Sequence, residues 1–312
     1  MSTDSSKTKM SPNFNALWAK DADDKQDAIV IYRSQESTQP VRPPRLLDLQ
    51  ARLDSIKAMA AMQFDQASSL ADDYRSGAEG SMTAAPIGYG ALPVMAAQVT
   101  KKSIVALEER DDVVAIMPNQ PVHAIRPRSA RRRDPSRSEA RQGSTWGLKE
   151  LNVRELWARS KGDGVRVAVL DTGVDAAHPA LGDRVKEFTA IDPMGQRVSA
   201  TPSFDASDHG THVCGTIADG EGLDGVRLGV APECELLVGA VLLGGASMYT
   251  MIEGVDWALE KGANIISMSL GFAYFEPHFD IIMQRALDLD LLPVAAVGNE
   301  YHGNMSSPGS SR

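Results

Sequence analysis

The chain has 312 residues, 43% of them hydrophobic, and a formal net charge of −9 at pH 7. Single domains usually hold roughly 100 to 200 residues, so this length predicts two domains. The acidic charge argues against a nucleic-acid partner. No stretch approaches the ~20 apolar residues of a membrane span, which argues against a membrane partner.

Residues 1–27 are rich in Ser, Asp and Lys without hydrophobic periodicity, which predicts a disordered tail. They contain no apolar run of signal-peptide length. The two cysteines, Cys214 and Cys234, are too few for a disulfide framework and lie in apolar segments, where a free thiol packs as a small hydrophobe. These features predict a cytoplasmic protein, with a secreted protein as the alternative.

Residues 28–125 predict a small α+β domain of ferredoxin-like layout. A β-branched run over 28–32 predicts the first strand, and leucines at helical spacing after a Pro-Pro pair predict the first helix. Glycines and small residues over 76–90 predict a loop, and Thr100 is placed to cap the second helix. The other predicted strands cover residues 92–99, 113–117 and 122–125.

Residues 126–144 contain no apolar residue beyond alanine, so they predict a linker without packed structure. Seven arginines against two acids give residues 126–141 a net charge of +5, which leaves −14 for the rest of the chain. Arg131, Arg132 and Arg133 predict a protease-sensitive processing site, and a merely flexible hinge is the alternative. A nucleic-acid arm is disfavoured because no aromatic residue is interleaved with the arginines.

Residues 145–312 alternate between apolar runs and helical patterns, which predicts an α/β body with a parallel sheet covered by helices on both sides. The predicted strands cover residues 165–170, 235–243, 263–270 and 291–297, and the predicted helices cover residues 209–218, 249–260 and 280–289. In such folds the functional groups collect where the strands end. Asp171 and Asn299 each lie within two residues of a predicted strand end.

Asp171 directly follows a buried strand, where an ionised carboxylate needs a cationic or hydrogen-bonding partner. A histidine is a natural partner, whereas a strand-end Asp that only caps the next turn is the structural alternative. Asp-Thr-Gly is also the signature of aspartic proteases, which need a second such acid, and the sequence contains no second Asp-Thr-Gly.

The segment Asp208-His209-Gly210-Thr211-His212 opens a predicted helix. Its two histidines could hold a metal in principle, but no further ligand cluster follows at the usual spacing. We therefore interpret His209 as a general base and His212 as a packed core histidine, with Gly210 letting helix and strand approach closely.

Four blocks of the body resemble the aspartate, histidine, substrate-binding and oxyanion blocks of the subtilisin family of serine proteases, in the same order and at similar separations. These blocks are residues 165–181, 208–217, 265–271 and 294–300. Trp146-Gly147-Leu148 also resembles the start of the mature enzyme in this family. Residues 28–125 are similar, more weakly, to its inhibitory propeptide. The resemblance implies a subtilisin-like fold and peptide-bond hydrolysis.

The resemblance implies a role for each matching residue. Asp171 would orient His209, His209 would take the proton of a serine hydroxyl, and the Asn299 amide would stabilise the oxyanion. Without the resemblance, a turn residue is the commoner role of an Asn that follows Gly. The expected substrate-binding residues are Ser269, Leu270, Gly271, Gly244 and Gly245. The expected partners are a peptide or protein substrate and the chain's own propeptide as an intramolecular inhibitor. No cofactor is evident; calcium is possible by resemblance only.

The departure from the family is the nucleophile. No Gly-Thr-Ser motif occurs in the 312 residues, and only 13 residues follow Asn299. Two functions are therefore expected from the sequence: a serine endopeptidase zymogen whose serine lies outside this chain, or an inactive pseudoprotease that binds peptides or a partner. The missing strands also predict a core that is open on one side.

Overall fold

The computed structural model describes residues 8–14, 21, 24–34, 49–76, 83–126, 143–220, 225–272 and 274–299. The predicted processing site at Arg131, Arg132 and Arg133 lies outside the described residues. Two sheets organise the described part of the chain, an antiparallel sheet before residue 119 and a largely parallel one after residue 165.

The antiparallel sheet has four strands in the order β2-β3-β1-β4. The order of the strands and helices along the chain, and the order of the strands in the sheet, are those of a β-α-β-β-α-β unit. Its elements are β1 (Gln26–Tyr32), α1 (Leu49–Ser76), β2 (Thr83–Pro86), β3 (Val94–Val99), α2 (Lys101–Glu109) and β4 (Val113–Pro118). We refer to this unit as the small domain.

Local chemistry explains where the second helix of the small domain begins. Thr100 has extended backbone, and its hydroxyl accepts a hydrogen bond from the Ser103 N–H at 3.2 Å. The Ser103 hydroxyl accepts in return from the Thr100 N–H at 2.8 Å. This reciprocal capping box satisfies two N–H groups that the helix itself cannot pair, as the sequence indicated for Thr100.

The structure corrects three predictions for the first 125 residues. The segment 76–90 is not entirely loop, because β2 pairs antiparallel with β3 over Thr83 to Pro86. The strand predicted at 122–125 does not join the sheet of the small domain but pairs with the body. The tail is not disordered throughout, since Phe14 is fully buried in the core of the small domain.

The body contains a six-stranded sheet in the order β12-β10-β6-β9-β7-β8, parallel except for the edge strand β8. Its strands are β6 (Arg166–Asp171), β7 (Val185–Ile191), β8 (Arg197–Val198), β9 (Glu235–Ala240), β10 (Ile265–Met268) and β12 (Leu292–Ala295). The helices are α3 (Trp146–Glu150), α4 (Val153–Leu156), α5 (His209–Ala218), α6 (Met248–Glu260) and α7 (Phe279–Asp288). Two short strands, β5 (Val122–Ala124) and β11 (Leu270–Phe272), form a separate pair.

The buried strand β6 explains why its sequence is a continuous apolar run. Residues Val167 to Asp171 are all buried, because β9 and β10 flank the strand and helices cover both faces of the sheet. The edge strand β12 differs, since Leu292 and Val294 are about half exposed (48% and 51%). The described part of the chain thus covers these two apolar side chains only in part.

Candidate active site

The carboxyl end of β6 brings Asp171 to the first residue of α5, His209. The carboxylate of Asp171 is fully buried, and its Oδ1 lies 2.7 Å from Nδ1 of His209. Oδ1 also accepts the N–H of Thr172 at 2.7 Å. The hydrogen bond from Asp171 raises the pKa of His209 above its usual value, against an opposing effect of burial. The two residues that the sequence singled out therefore form one hydrogen-bonded pair.

Two glycines permit this close approach of strand and helix. A Cβ atom on Gly210 would lie 2.0 Å from the carbonyl oxygen of Gly173. Gly173 itself has a φ of +117°, and a Cβ there would lie 2.1 Å from the carbonyl oxygen of Phe204. The prediction that Gly210 lets helix and strand approach is confirmed by these distances.

Asp205 organises the backbone around the pair and was not recognised from the sequence as a site residue. Its carboxylate accepts the hydroxyls of Thr172 and Thr211, both at 2.6 Å, and the Thr211 N–H at 2.7 Å. Burial alone would raise the pKa of Asp205, but these hydrogen bonds outweigh it and lower the pKa. The helix cap Asp208 makes no side-chain capping bond, so Asp205 acts as the acceptor for this helix end.

A segment of the chain itself occupies the cleft beside His209. β5 pairs antiparallel with β11, so that Ala124 opposes Leu270, and His123 opposes Gly271. The Ile125 N–H donates to the Ser269 carbonyl at 2.9 Å. The predicted substrate-binding segment Ser269 to Gly271 thus pairs with an extended peptide in the manner of an added strand.

The other wall of the cleft lies at the turn before α6. The Val122 N–H donates to the carbonyl oxygen of Ala246 at 3.0 Å. Ala246 directly follows the predicted wall residues Gly244 and Gly245, and Gly245 adopts a φ of +84°. The structure therefore places the two glycines in the turn, while the group that accepts a hydrogen bond from β5 is the carbonyl of Ala246.

Two carbonyl groups of the cleft segment point at the polar residues of the site. The Ile125 carbonyl oxygen lies 3.2 Å from Nε2 of His209. The side-chain amide of Asn299 donates to the Arg126 carbonyl at 2.8 Å. Asn299 is therefore more than a turn residue, because its amide reaches a peptide carbonyl in the cleft.

His212 does not have the environment expected from the sequence. It is exposed, so the prediction of a packed core histidine is wrong. Among the described residues, no three His, Cys, Asp or Glu side chains are grouped so that they could share a metal ion. The buried residue at this turn of α5 is instead Cys214.

The two cysteines are free, buried thiols, as the apolar character of their segments indicates. Burial raises the pKa of Cys214, and it raises the pKa of Cys234 to about 11. Thiols with raised pKa values are poor nucleophiles at neutral pH, so both act as packing residues.

An interface residue that sequence reasoning missed is Asp256, in the middle of the apolar face of α6. Its fully buried carboxylate accepts the backbone N–H groups of Tyr89 and Ala91, both at 2.7 Å, and pairs with Arg197 at 2.9 Å. Burial raises its pKa. A lone acid within the sequence Gly-Val-Asp-Trp-Ala was the signal that could have revealed this contact.

Asp171 and His209 form a buried pair at the carboxyl edge of a parallel sheet, and an extended segment of the chain pairs with β11 beside them. This arrangement defines a peptidase-like α/β protein. Residues 162–312 match the family model described as the subtilase family. This part of the chain belongs to the subtilase family. None of the helices in the described part of the chain is both long and apolar enough to cross a membrane.

Two relatives agree with this assignment. The chain is 40% identical over 165 residues to the major intracellular serine protease of Bacillus subtilis, covering 51% of this chain and 50% of that protein. It is 34% identical over 221 residues to a thermostable alkaline protease of Halalkalibacterium halodurans, covering 70% of this chain and 54% of that protein. The chain thus spans about half the length of these relatives.

The fold is also similar to the crystal structure of fervidolysin from Fervidobacterium pennivorans, a keratinolytic enzyme related to subtilisin. The TM-score is 0.57 at 20% sequence identity, over 91% of this chain and 41% of that one. At this identity the similarity concerns the fold alone. It extends over most of the chain, which includes the small domain.

Proposed function

We propose that the protein is a subtilisin-like serine endopeptidase held as a zymogen, in which the small domain inhibits the body. The observation that carries this proposal is the segment from Val122 to Arg126. It lies in the cleft as an added strand, with one carbonyl beside His209 and the next bound by Asn299. A peptide so placed blocks the cleft while using the contacts that a substrate would use.

The Asp–His geometry supplies the proton chemistry of such an enzyme. Oδ1 of Asp171 accepts the proton on Nδ1, which fixes the tautomer of His209 and leaves Nε2 free to take a hydroxyl proton. Because Asp171 is fully buried, its charge stabilises the imidazolium that forms. His209 would then return the proton to the leaving amine.

The Asn299 amide would stabilise the negative charge of the tetrahedral intermediate. It already donates to a peptide carbonyl at 2.8 Å, within the range of a hydrogen bond to a developing oxyanion. In subtilisin, loss of the equivalent donor lowers kcat by about 100- to 1,000-fold. We expect Asn299→Ala to affect turnover on this scale.

The proposal assigns the nucleophile to a serine outside these 312 residues, since no Gly-Thr-Ser motif occurs within them. The test uses the protein made from the whole native reading frame, treated after removal of its small domain with a fluorophosphonate that labels activated serines. His209→Ala should abolish labelling. His212→Ala is the matched control, because this exposed histidine lies on the same helix and should leave labelling unchanged. Labelling that persists in His209→Ala would refute the mechanism.

A peptide-binding pseudoprotease is the second candidate, favoured by the peptide segment already bound in the cleft. In that case the whole native protein would stay unlabelled after the small domain is removed, while a peptide of the sequence of residues 120–126 would still bind the body. Labelling of any serine that depends on His209 would exclude this candidate.

We further propose cytoplasmic location and processing at Arg131, Arg132 and Arg133. The location is supported by two relatives whose names describe intracellular serine proteases, and by free, buried cysteines. Cell fractionation tests the first proposal, and recovery in a culture supernatant would contradict it. Sequencing of the mature N-terminus tests the second, which fails if cleavage falls outside residues 126–144.

A further inference from the structure

Residues 8–14 form an N-terminal strap that touches both domains. Ser11 and Phe14 are fully buried, although the sequence around them is polar. A 3-10 turn over Pro12–Phe14 directs the Phe14 ring into the core of the small domain. The buried positions make the strap a part of the folded structure rather than a tail.

The backbone of the strap extends the sheet of the small domain. The Ile116 N–H donates to the Lys9 carbonyl at 2.7 Å, and the Ser11 N–H donates to the Ile116 carbonyl at 2.8 Å. Met10 thereby forms a parallel bridge with Ile116 of β4. The strap covers the outer edge of β4, the edge that would otherwise leave its N–H and C=O groups unpaired.

The side chains of the strap reach the body at Glu276, which is fully buried. The Ser11 hydroxyl donates to Oε2 of Glu276 at 2.5 Å, and the Asn13 amide donates to the same oxygen at 3.0 Å. Asn13 also donates to the Phe275 carbonyl at 2.8 Å. The Nε2 atom of His278 lies 3.3 Å from the Thr8 carbonyl oxygen. The contact thus joins residues 275–278 of the body to three strap residues.

The two oxygens of the buried Glu276 carboxylate have partners in different parts of the chain. Oε1 of Glu276 is satisfied within the body by the N–H and ring of His278, whereas the hydrogen bonds to Oε2 from the described part of the chain come from Ser11 and Asn13 of the strap. Burial would raise the pKa of Glu276, but hydrogen bonds from His278, Ser11 and Asn13 outweigh burial and lower it. Detaching the strap would remove the Ser11 and Asn13 donors from this carboxylate, which costs the hydrogen bonds they make.

We propose that the strap is a further contact of the small domain with the body, separate from the cleft and from Asp256, and that it sets how often the cleft segment leaves the cleft. This inference rests on the proposed inhibition by the small domain. The cleft segment, the Asp256 contact and the strap belong to one folded unit. Each contact therefore raises the effective concentration at which the other two rebind.

The test is native-state hydrogen exchange on the full chain, comparing wild type with a Ser11→Ala, Asn13→Ala double variant. The amide of Phe279 reports on the body next to Glu276, and the amides of Val122 and Ile125 report on the cleft. We expect exchange of all three amides to rise at least tenfold in the double variant. Val169 in the central strand should exchange as in wild type. Ser76→Ala, at the exposed end of α1, is the control and should change none of them.

Faster exchange at Phe279 with unchanged exchange at Val122 and Ile125 would overturn the proposal, as would no change at any of them. If exchange rises at all amides of the double variant, including Val169, the Glu276→Gln variant is measured instead. Gln keeps the size of the side chain and one acceptor oxygen. That variant should raise exchange at the cleft amides by a smaller factor, and no rise would again overturn the proposal. Exchange needs no nucleophile, so its outcome is independent of whether the protein labels with a fluorophosphonate.

Discussion

Replacement of Asp256 by alanine offers a direct measure of what holds the small domain on the body. One carboxylate accepts three backbone N–H groups of the small domain, those of Tyr89, Ala91 and Leu92, and also pairs with Arg197 of the body. Arg197 is further bound by Glu253 and Glu260. Asp256 is thus the point at which a charged cluster of the body meets the backbone of the small domain.

The expected loss follows from the groups that Asp256→Ala leaves unpaired. A buried donor without an acceptor costs about 1–3 kcal/mol, and removal of one partner of a buried ion pair costs about 3–5 kcal/mol. Arg197 keeps its two glutamates, which reduces its share. A neighbouring cavity of about 550 Å³, lined by Gly88 and Asp256 among others, allows water to reach the freed N–H groups. We therefore expect Asp256→Ala to lower stability by about 3 kcal/mol, which is less than the sum of these separate costs.

The assay is hydrogen exchange of the amides of Tyr89 and Ala91 in the full chain, supported by urea unfolding. A loss of about 3 kcal/mol corresponds to a rise in exchange of roughly 150-fold where opening is in fast equilibrium. Asp256→Asn keeps one acceptor oxygen and should give an intermediate rise. Asp54→Ala removes an exposed carboxylate on α1 and serves as the control. A rise of less than fivefold in Asp256→Ala would refute the assigned role of the carboxylate.

Two further predictions concern the Asp–His pair. The hydrogen bond from Asp171 raises the pKa of His209, so the pair should stabilise the fold fully below the ordinary histidine pKa of about 6.5 and lose this contribution as pH rises through the folded value. An NMR titration of the imidazole checks this, and a midpoint at or below 6.5 would contradict it. Gly210→Ala should separate helix and strand, because its Cβ would lie 2.0 Å from the Gly173 carbonyl oxygen. We expect a loss of at least about 2 kcal/mol in urea unfolding, whereas Gly215→Ala on the same helix, where a Cβ meets nothing within 4 Å, should be neutral or stabilising.

The sequence by itself determined the elements whose signals are local. The apolar run that ends at Asp171 predicted β6 because a strand buried on both faces needs no polar alternation. The predicted helix 209–218 agrees with α5 at both ends, and Thr100 caps α2 as expected. The pairing of Asp171 with His209 was expected from the resemblance of residues 165–181 and 208–217 to the aspartate and histidine blocks of the subtilisin family, and the structure brings Oδ1 and Nδ1 to 2.7 Å.

Only the tertiary structure decided which distant segments meet. The run 122–125 has the composition of a strand that could have joined the small domain, but its unpaired backbone groups are satisfied by residues 246 and 269–272. The strap and Asp256 were missed for the same reason, since a polar residue buried by a distant segment leaves no periodic signal. His212 was interpreted as a packed core histidine, yet it lies on the exposed side of α5. The periodicity of apolar side chains along the sequence specifies local geometry. Which distant segment a strand or a buried polar residue pairs with depends on which buried donors and acceptors the complete fold can satisfy.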